Sequence, residues 1–182
     1  MNFINTQIPE VIIIKPEVFT DTRGEFLETY RMAEFSTAGI QIGFVQDNHA
    51  GSKLGVLRGL HYQIQKSQGK LIRVISGVIF DVAVDLRKSS PTFGQYVGIR
   101  LDDQDKKMLW IPPGFAHGYY VMSTWAEVGY KVTEYYAPEY ERTIVWNDPK
   151  LKIAWPILED GHPILSEKDL QAQKFQNADL YE

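Results

Sequence analysis

The sequence predicts an all-β fold, a jelly-roll sandwich or barrel. Three observations lead there. About ten short runs of β-branched and aromatic residues follow one another closely, punctuated by Gly, Pro, Asp and Asn. Helix signals are few and lie near the ends. The chain has 182 residues, 44% hydrophobic and 23% charged, which suits one globular domain over residues 1–182.

The strand candidates, in order, are residues 11–14, 25–30, 44–48, 55–63, 70–75, 78–86, 95–101, 107–111, 118–122 and 127–136. The clearest alternation sets Phe80, Val82, Val84 and Leu86 against Asp81, Ala83, Asp85 and Arg87. Ile75-Ser76-Gly77-Val78 reads as a tight turn between paired strands. Residues 88–93 read as a loop. A short helix is expected over 31–38, closed by Gly39. Ser166-Glu167-Lys168-Asp169 fits a capping pattern ahead of residues 170–175, so the tail from about 166 starts helical. Closely spaced short strands of this kind form a sandwich or barrel.

Composition excludes several chemistries. There are no cysteines, hence no disulfide framework, thiolate metal site or cysteine nucleophile. The net charge of −4 argues against nucleic acid or an anionic membrane as partner. Met108 to Ala126 is 19 residues without Asp, Glu, Lys or Arg, long enough for a membrane helix. Pro112, Pro113, Gly114 and Gly118 inside it favour strand and turn instead. The N-terminus lacks a signal-peptide pattern, so a cytoplasmic protein is the expectation.

Four histidines are the first candidates for chemistry: His49, His61, His117 and His162. Pro112-Pro113-Gly114-Phe115-Ala116-His117 contains P-x-G-x-x-H, which resembles the second half of the cupin jelly-roll signature. Metal-binding cupins carry H-x-H in the first half. Here that stretch is His61-Tyr62-Gln63, and a transition metal wants about three good ligands. A metal-dependent cupin using His61, His117 and Gln63 or a carboxylate is one alternative. Without metal, His, Tyr, Lys and Arg suit proton abstraction beside a carbonyl, followed by reprotonation. The enolate then needs a cation such as Lys70. Asp81 and Asp85 suggest a glycosidase pair, but i and i+4 on a strand lie about 13 Å apart, beyond the usual ~5–9.5 Å.

Ordered blocks run along nearly the whole chain: Thr22-Arg23-Gly24-Glu25-Phe26, Gln46-Asp47-Asn48-His49, Leu57-Arg58-Gly59-Leu60-His61-Tyr62-Gln63, Gly69-Lys70-Leu71-Ile72-Arg73, Phe80-Asp81-Val82-Ala83-Val84-Asp85-Leu86-Arg87, Trp110-Ile111-Pro112-Pro113-Gly114-Phe115-Ala116-His117-Gly118, Tyr130-Lys131-Val132-Thr133 and Ser166-Glu167-Lys168-Asp169. Together they resemble the dTDP-4-dehydrorhamnose 3,5-epimerase family. The resemblance implies a cupin-type jelly roll that inverts C3 and C5 of dTDP-4-dehydro-6-deoxyglucose, with no metal or redox cofactor. It implies His61 as general base oriented by Asp169, Tyr130 as acid, and Lys70 as the group holding the enolate. It places Phe19, Arg23, Glu28, Gln46, Asp47, Asn48, Arg58, His117, Glu141 and Lys168 on the substrate. It also implies a homodimer whose N-terminal strands join the partner's sheet. Two departures stand out: Tyr119 and Tyr120 replace less polar residues, and Gly129 precedes Tyr130. Inversion of a single centre is the alternative within the family.

Structural readings stand beside these. His61 also fits a hydrogen-bonded core histidine. Asp169 also fits a helix cap reaching the Ser166 amide, and its two oxygens allow both roles. Tyr130 also fits packing among Tyr135 and Tyr136. Arg58 and His61 differ in strand parity, so both face one pocket only if Gly59 marks a bulge or bend. Arg73 and Arg87 read as solvated or interface charges, and His49 and His162 as surface or structural residues. A non-catalytic sugar-nucleotide binding module is the alternative outside the enzymes. It has no need of an acid and a base.

Overall fold

The computed structural model describes residues 1–158 and 161–182. Its strands are β1 (Asn2–Asn5), β2 (Ile12–Lys15), β3 (Val18–Asp21), β4 (Gly24–Leu27), β5 (Gln46–Lys53), β6 (Leu57–Gln63), β7 (Lys70–Ser76), β8 (Val78–Asp85), β9 (Tyr96–Asp102), β10 (Met108–Ile111), β11 (Phe115–Val121), β12 (Trp125–Val132) and β13 (Glu141–Thr143). Two short helices, α1 (Met32–Thr37) and α2 (Glu167–Leu170), complete the elements used below. The strands form a jelly-roll-like sandwich. One sheet runs β1-β2-β10-β7-β12-β5 and the other β13-β6-β11-β8-β9.

Between the sheets lies a core that includes Ile72, Val74, Ile79, Leu101, Leu109, Val121, Ala126 and Val128. A second cluster covers the outer face of the five-stranded sheet. There Leu60, Tyr62, Val82, Val84 and Leu86 pack under Ile144, Leu151 and Phe175. Strand β8 is therefore buried on both faces. Its alternation is as expected, but the apolar face lies under the C-terminal segment. The face with Asp81 and Ala83 points into the sandwich, where Ala83 joins the central core.

Several expectations change. Gly77 does not join paired strands: β7 pairs with β10 and β12, while β8 pairs with β9 and β11. The turn is a corner between sheets. Gly77 has φ +87°, and a Cβ there would stand 2.2 Å from the Trp125 carbonyl. Strand β5 begins at Gln46 and continues through Gly51 to Lys53 because β12 pairs with it over its whole length. Strand β11 starts at Phe115, three residues before the expected run, and β12 stops at Val132, leaving Tyr135 and Tyr136 outside it. Strands β1, β3 and β13 were not legible as runs. The uncharged stretch from Met108 becomes β10, a Pro-Gly turn and β11. Among the described residues, no helix is long and apolar enough to cross a membrane.

Within one chain, β1 pairs with β2 and β2 with β10, so both close the edge of their own sheet. Strands β3 and β4 pair only with each other among the named strands. Both are largely exposed, and Phe26 is 69% accessible. A two-stranded hairpin alone is marginally stable in water.

Candidate active site

A cavity of about 110 Å³ opens between the sheets, lined by Ala50, Arg58, His61, Lys70, His117, Tyr119 and Tyr130. Strand β6 supplies Arg58 and His61, and β11 supplies His117 and Tyr119. Lys70 comes from β7 and Tyr130 from β12 on the opposite sheet. The imidazole of His61 and the phenol of Tyr130 thus stand on facing walls.

Gly59 explains how Arg58 and His61 share this cavity. His61 registers with His117, but Arg58 registers with Tyr119. Three steps on β6 match two on β11, which is a bulge. Gly59 has φ +123°, and a Cβ on it would lie 2.5 Å from Gly118 Cα. A Cβ on Gly118 would lie 2.7 Å from the Arg58 carbonyl. The two glycines let the strands approach where the parity changes.

His61 Nε2 lies 2.6 Å from Asp169 Oδ1. Asp169 is buried on α2, and its Oδ2 accepts from the Ser166 hydroxyl at 2.7 Å. That hydroxyl also accepts the Asp169 N–H at 3.2 Å, capping the helix. Asp169 therefore meets the cap's hydroxyl, not the Ser166 amide that the sequence suggested, and serves helix and histidine with separate oxygens. Burial tends to raise the Asp169 pKa, but its bonds to His61 and Ser166 hold it below the usual value. Burial lowers the His61 pKa, and Asp169 only partly opposes this. The pair rests as neutral imidazole and carboxylate at neutral pH.

Lys70 is buried, and desolvation lowers its pKa to about 8, against the opposing charges of Glu141 and Asp81. Glu141 is ion-paired with Lys168 and accepts from Tyr136 Oη at 2.8 Å. Burial pushes Tyr130 up, so its phenol stays protonated, with Arg58 opposing the rise. His117 Nε2 lies 2.9 Å from Asp81 Oδ2, and Asp81 is fully buried.

The other expected substrate residues divide. Gln46 and Asn48 are hydrogen-bonded to each other at 2.9 Å on the strand β5 face opposite Asp47. Asp47 turns outward to Lys131 at 2.9 Å. Phe19 is 55% exposed, Arg23 pairs with Asp21 on the hairpin, and Glu28 pairs with Arg31. None of these three lines its own chain's cavity. Gln63 donates to the Lys66 and Tyr135 carbonyls and accepts from the Ala137 amide, so its amide group is committed to backbone. Arg87 is held by Asp85 and Glu10, over the Phe115 ring. His49 and His162 are exposed.

Sequence reasoning did not assign Asp81 or Tyr119 to the site. Asp81 read as part of a polar strand face and was weighed only as a glycosidase pair with Asp85; the signal available was a carboxylate flanked by apolar neighbours. Tyr119 was noticed only as a departure from the family.

A β-sandwich enclosing imidazole, phenol and ammonium groups, with a His–Asp pair on one wall, has the groups that an isomerase of the proton-transfer kind needs. The family profile described as dTDP-4-dehydrorhamnose 3,5-epimerase matches residues 5–177. The chain belongs to this family. It is 58% identical over 175 residues to the dTDP-4-dehydrorhamnose 3,5-epimerase of Pseudomonas aeruginosa, covering 96% of each chain. It is 51% identical to the enzyme of that name from Shigella flexneri, covering 100% of this chain and 99% of that one. Among solved structures, a dTDP-6-deoxy-D-glucose-3,5-epimerase from Legionella pneumophila Philadelphia 1, in complex with dTDP-4-keto-L-rhamnose, superposes with a TM-score of 0.96. It is 49% identical and covers 100% of this chain and 97% of that chain.

Proposed function

We propose that this chain inverts C3 and C5 of dTDP-4-dehydro-6-deoxyglucose to give dTDP-4-dehydro-L-rhamnose, as a cytoplasmic enzyme of deoxysugar biosynthesis. The observation that carries the reading is the placement of His61 and Tyr130 on opposite walls of one cavity, with Lys70 between the sheets. A proton removed on one face and returned on the other inverts a carbon.

Asp169 accepts the Nε2–H of His61 and so leaves the Nδ1 lone pair free. His61 takes the proton from the carbon beside the C4 ketone, and Asp169 stabilises the imidazolium that results. The electron pair moves onto the ketone oxygen as an enolate. Lys70 holds that charge in a dry site, where a cation counts for more than in water. Tyr130 then donates its phenolic proton to the opposite face, and the ketone re-forms. Positioned proton transfer supplies ~10²–10⁴-fold, so the lysine supplies a needed further share. Arg58 and Lys70 concentrate positive charge at the cavity despite the chain's net −4, which suits a pyrophosphate-bearing substrate.

The test is NMR of the 4-keto sugar nucleotide in D₂O. The parent exchanges protons at C3 and C5. His61→Ala loses both exchanges, and undiminished exchange would sink the assignment of the base. Exchange at one carbon alone would favour the single-centre alternative.

The same reading includes a homodimer. Phe19, Arg23 and Glu28 sit on or beside an exposed hairpin, away from their own cavity. A second copy gives that hairpin a surface to cover and those residues a substrate to meet. Sedimentation equilibrium giving the monomer mass at assay concentration overturns this part.

A further inference from the structure

The Tyr119 hydroxyl is buried at the wall of the cavity and has no hydrogen-bond partner among the described residues. The residue is 4% exposed. Ser52 is close enough to lower its pKa as a hydrogen-bonding neighbour, against the larger rise from burial, but the two hydroxyls do not meet in hydrogen-bond geometry; Ser52 Oγ accepts from Arg58 Nε at 3.0 Å. Asp81 stands directly opposite on β8, but its Oδ2 is taken by His117. Its Oδ1 is likewise unpartnered, so the two groups do not satisfy each other.

An orphaned buried hydroxyl costs about 1–3 kcal/mol. A phenylalanine in this place has the same ring and none of that cost. The packing around Tyr119 therefore does not explain the hydroxyl. A ligand in the cavity does, because the lining already includes the residues assigned to bind and deprotonate the sugar.

We propose that Tyr119 is a substrate-binding residue whose hydroxyl hydrogen-bonds an oxygen of the 4-keto hexose. The proposal rests on the reading of this cavity as the sugar site. Tyr119 is distinct from the base, the acid and the enolate-holding lysine. Its hydroxyl fixes the ring beside Tyr130 and Arg58, which line the same cavity.

Tyr119→Phe tests it by three measurements on the full chain: kcat/KM for the 4-keto sugar nucleotide, Kd for dTDP alone, and Tm. The expected result is kcat/KM lower by about 2- to 12-fold, the worth of one neutral hydrogen bond. The Kd for dTDP stays at the parent value, because the sugar contact is not made there. The Tm is unchanged or higher, since a buried unsatisfied group has gone. An unchanged kcat/KM overturns the proposal. So does a loss that appears equally in dTDP affinity, or one accompanied by a lower Tm, which would give the hydroxyl a structural role. His61→Ala in the same assay separates the two levels. If that variant keeps full exchange, the cavity reading fails. If it loses exchange while Tyr119→Phe behaves as the parent, the Tyr119 assignment alone fails.

Discussion

Two His–Asp pairs face each other across one strand pairing, and they are not equivalent. His61 and His117 are register partners on β6 and β11. His61 reaches Asp169, 108 residues away on a capped helix, at 2.6 Å. His117 reaches Asp81 on the adjacent strand at 2.9 Å. The His61 side chain is 28% exposed and that of His117 is 9% exposed. Asp169 has both oxygens engaged, by His61 and by Ser166. Asp81 has one oxygen without a partner and lies close enough to Lys70 to raise its pKa. The same two side-chain types thus build the proposed base, backed by a doubly bonded carboxylate, and a buried carboxylate beside the lysine. Environment, not residue type, divides the labour.

The largest expected effect tests that division directly. Asp169→Asn removes the carboxylate that stabilises the imidazolium, and kcat should fall by about 10²- to 10⁴-fold with the fold intact by circular dichroism. A loss below tenfold would mean that His61 needs no charged partner.

The pH profile gives the next effect. His61 must be neutral to accept a proton, and its pKa is shifted below 6.5 by burial. Log kcat/KM should fall on the acid side only below that value, by about one log unit for each pH step of one. Lys70 must be charged, and its pKa is lowered to about 8, so activity should fall again as pH rises through about 8. A profile flat to pH 10 would remove Lys70's charge from the mechanism.

The smallest effect sharpens the comparison. Asp81→Asn deletes a negative neighbour of Lys70. The ammonium then becomes less favourable, so the alkaline limb should move to lower pH. At pH 6.5 to 7 the variant should lose less than about tenfold in kcat, because most of the lysine stays charged there. A loss as great as that of Asp169→Asn, with no movement of the alkaline limb, would erase the distinction between the pairs.

Much of this was legible beforehand. The β-branched runs located most strands, and Ser166 with Asp169 marked the cap of α2. The parity difference between Arg58 and His61 let both face one pocket only if Gly59 marked a bulge or bend, and the structure has the bulge. Strand β13 was missed because three residues carry no periodicity. Strand β5 was cut short because Gly51 and Ser52 look like turn residues until a partner strand holds them. Phe19, Arg23 and Glu28 illustrate a different limit, since one chain's geometry does not bring them to its own cavity.

Sequence alone determined the set of chemical groups: an imidazole, a phenol, a lysine and a carboxylate in a thiol-free β protein. It also determined local conformation wherever a single residue decides it, as at Gly59 and Ser166. Tertiary structure decided which carboxylate meets which histidine, that the Asp81 face points inward, and that Lys70 is dry enough to titrate near 8. The reason is physical. Backbone preferences act over a few residues, whereas desolvation and charge pairing depend on strands far apart in the chain packing around one cavity.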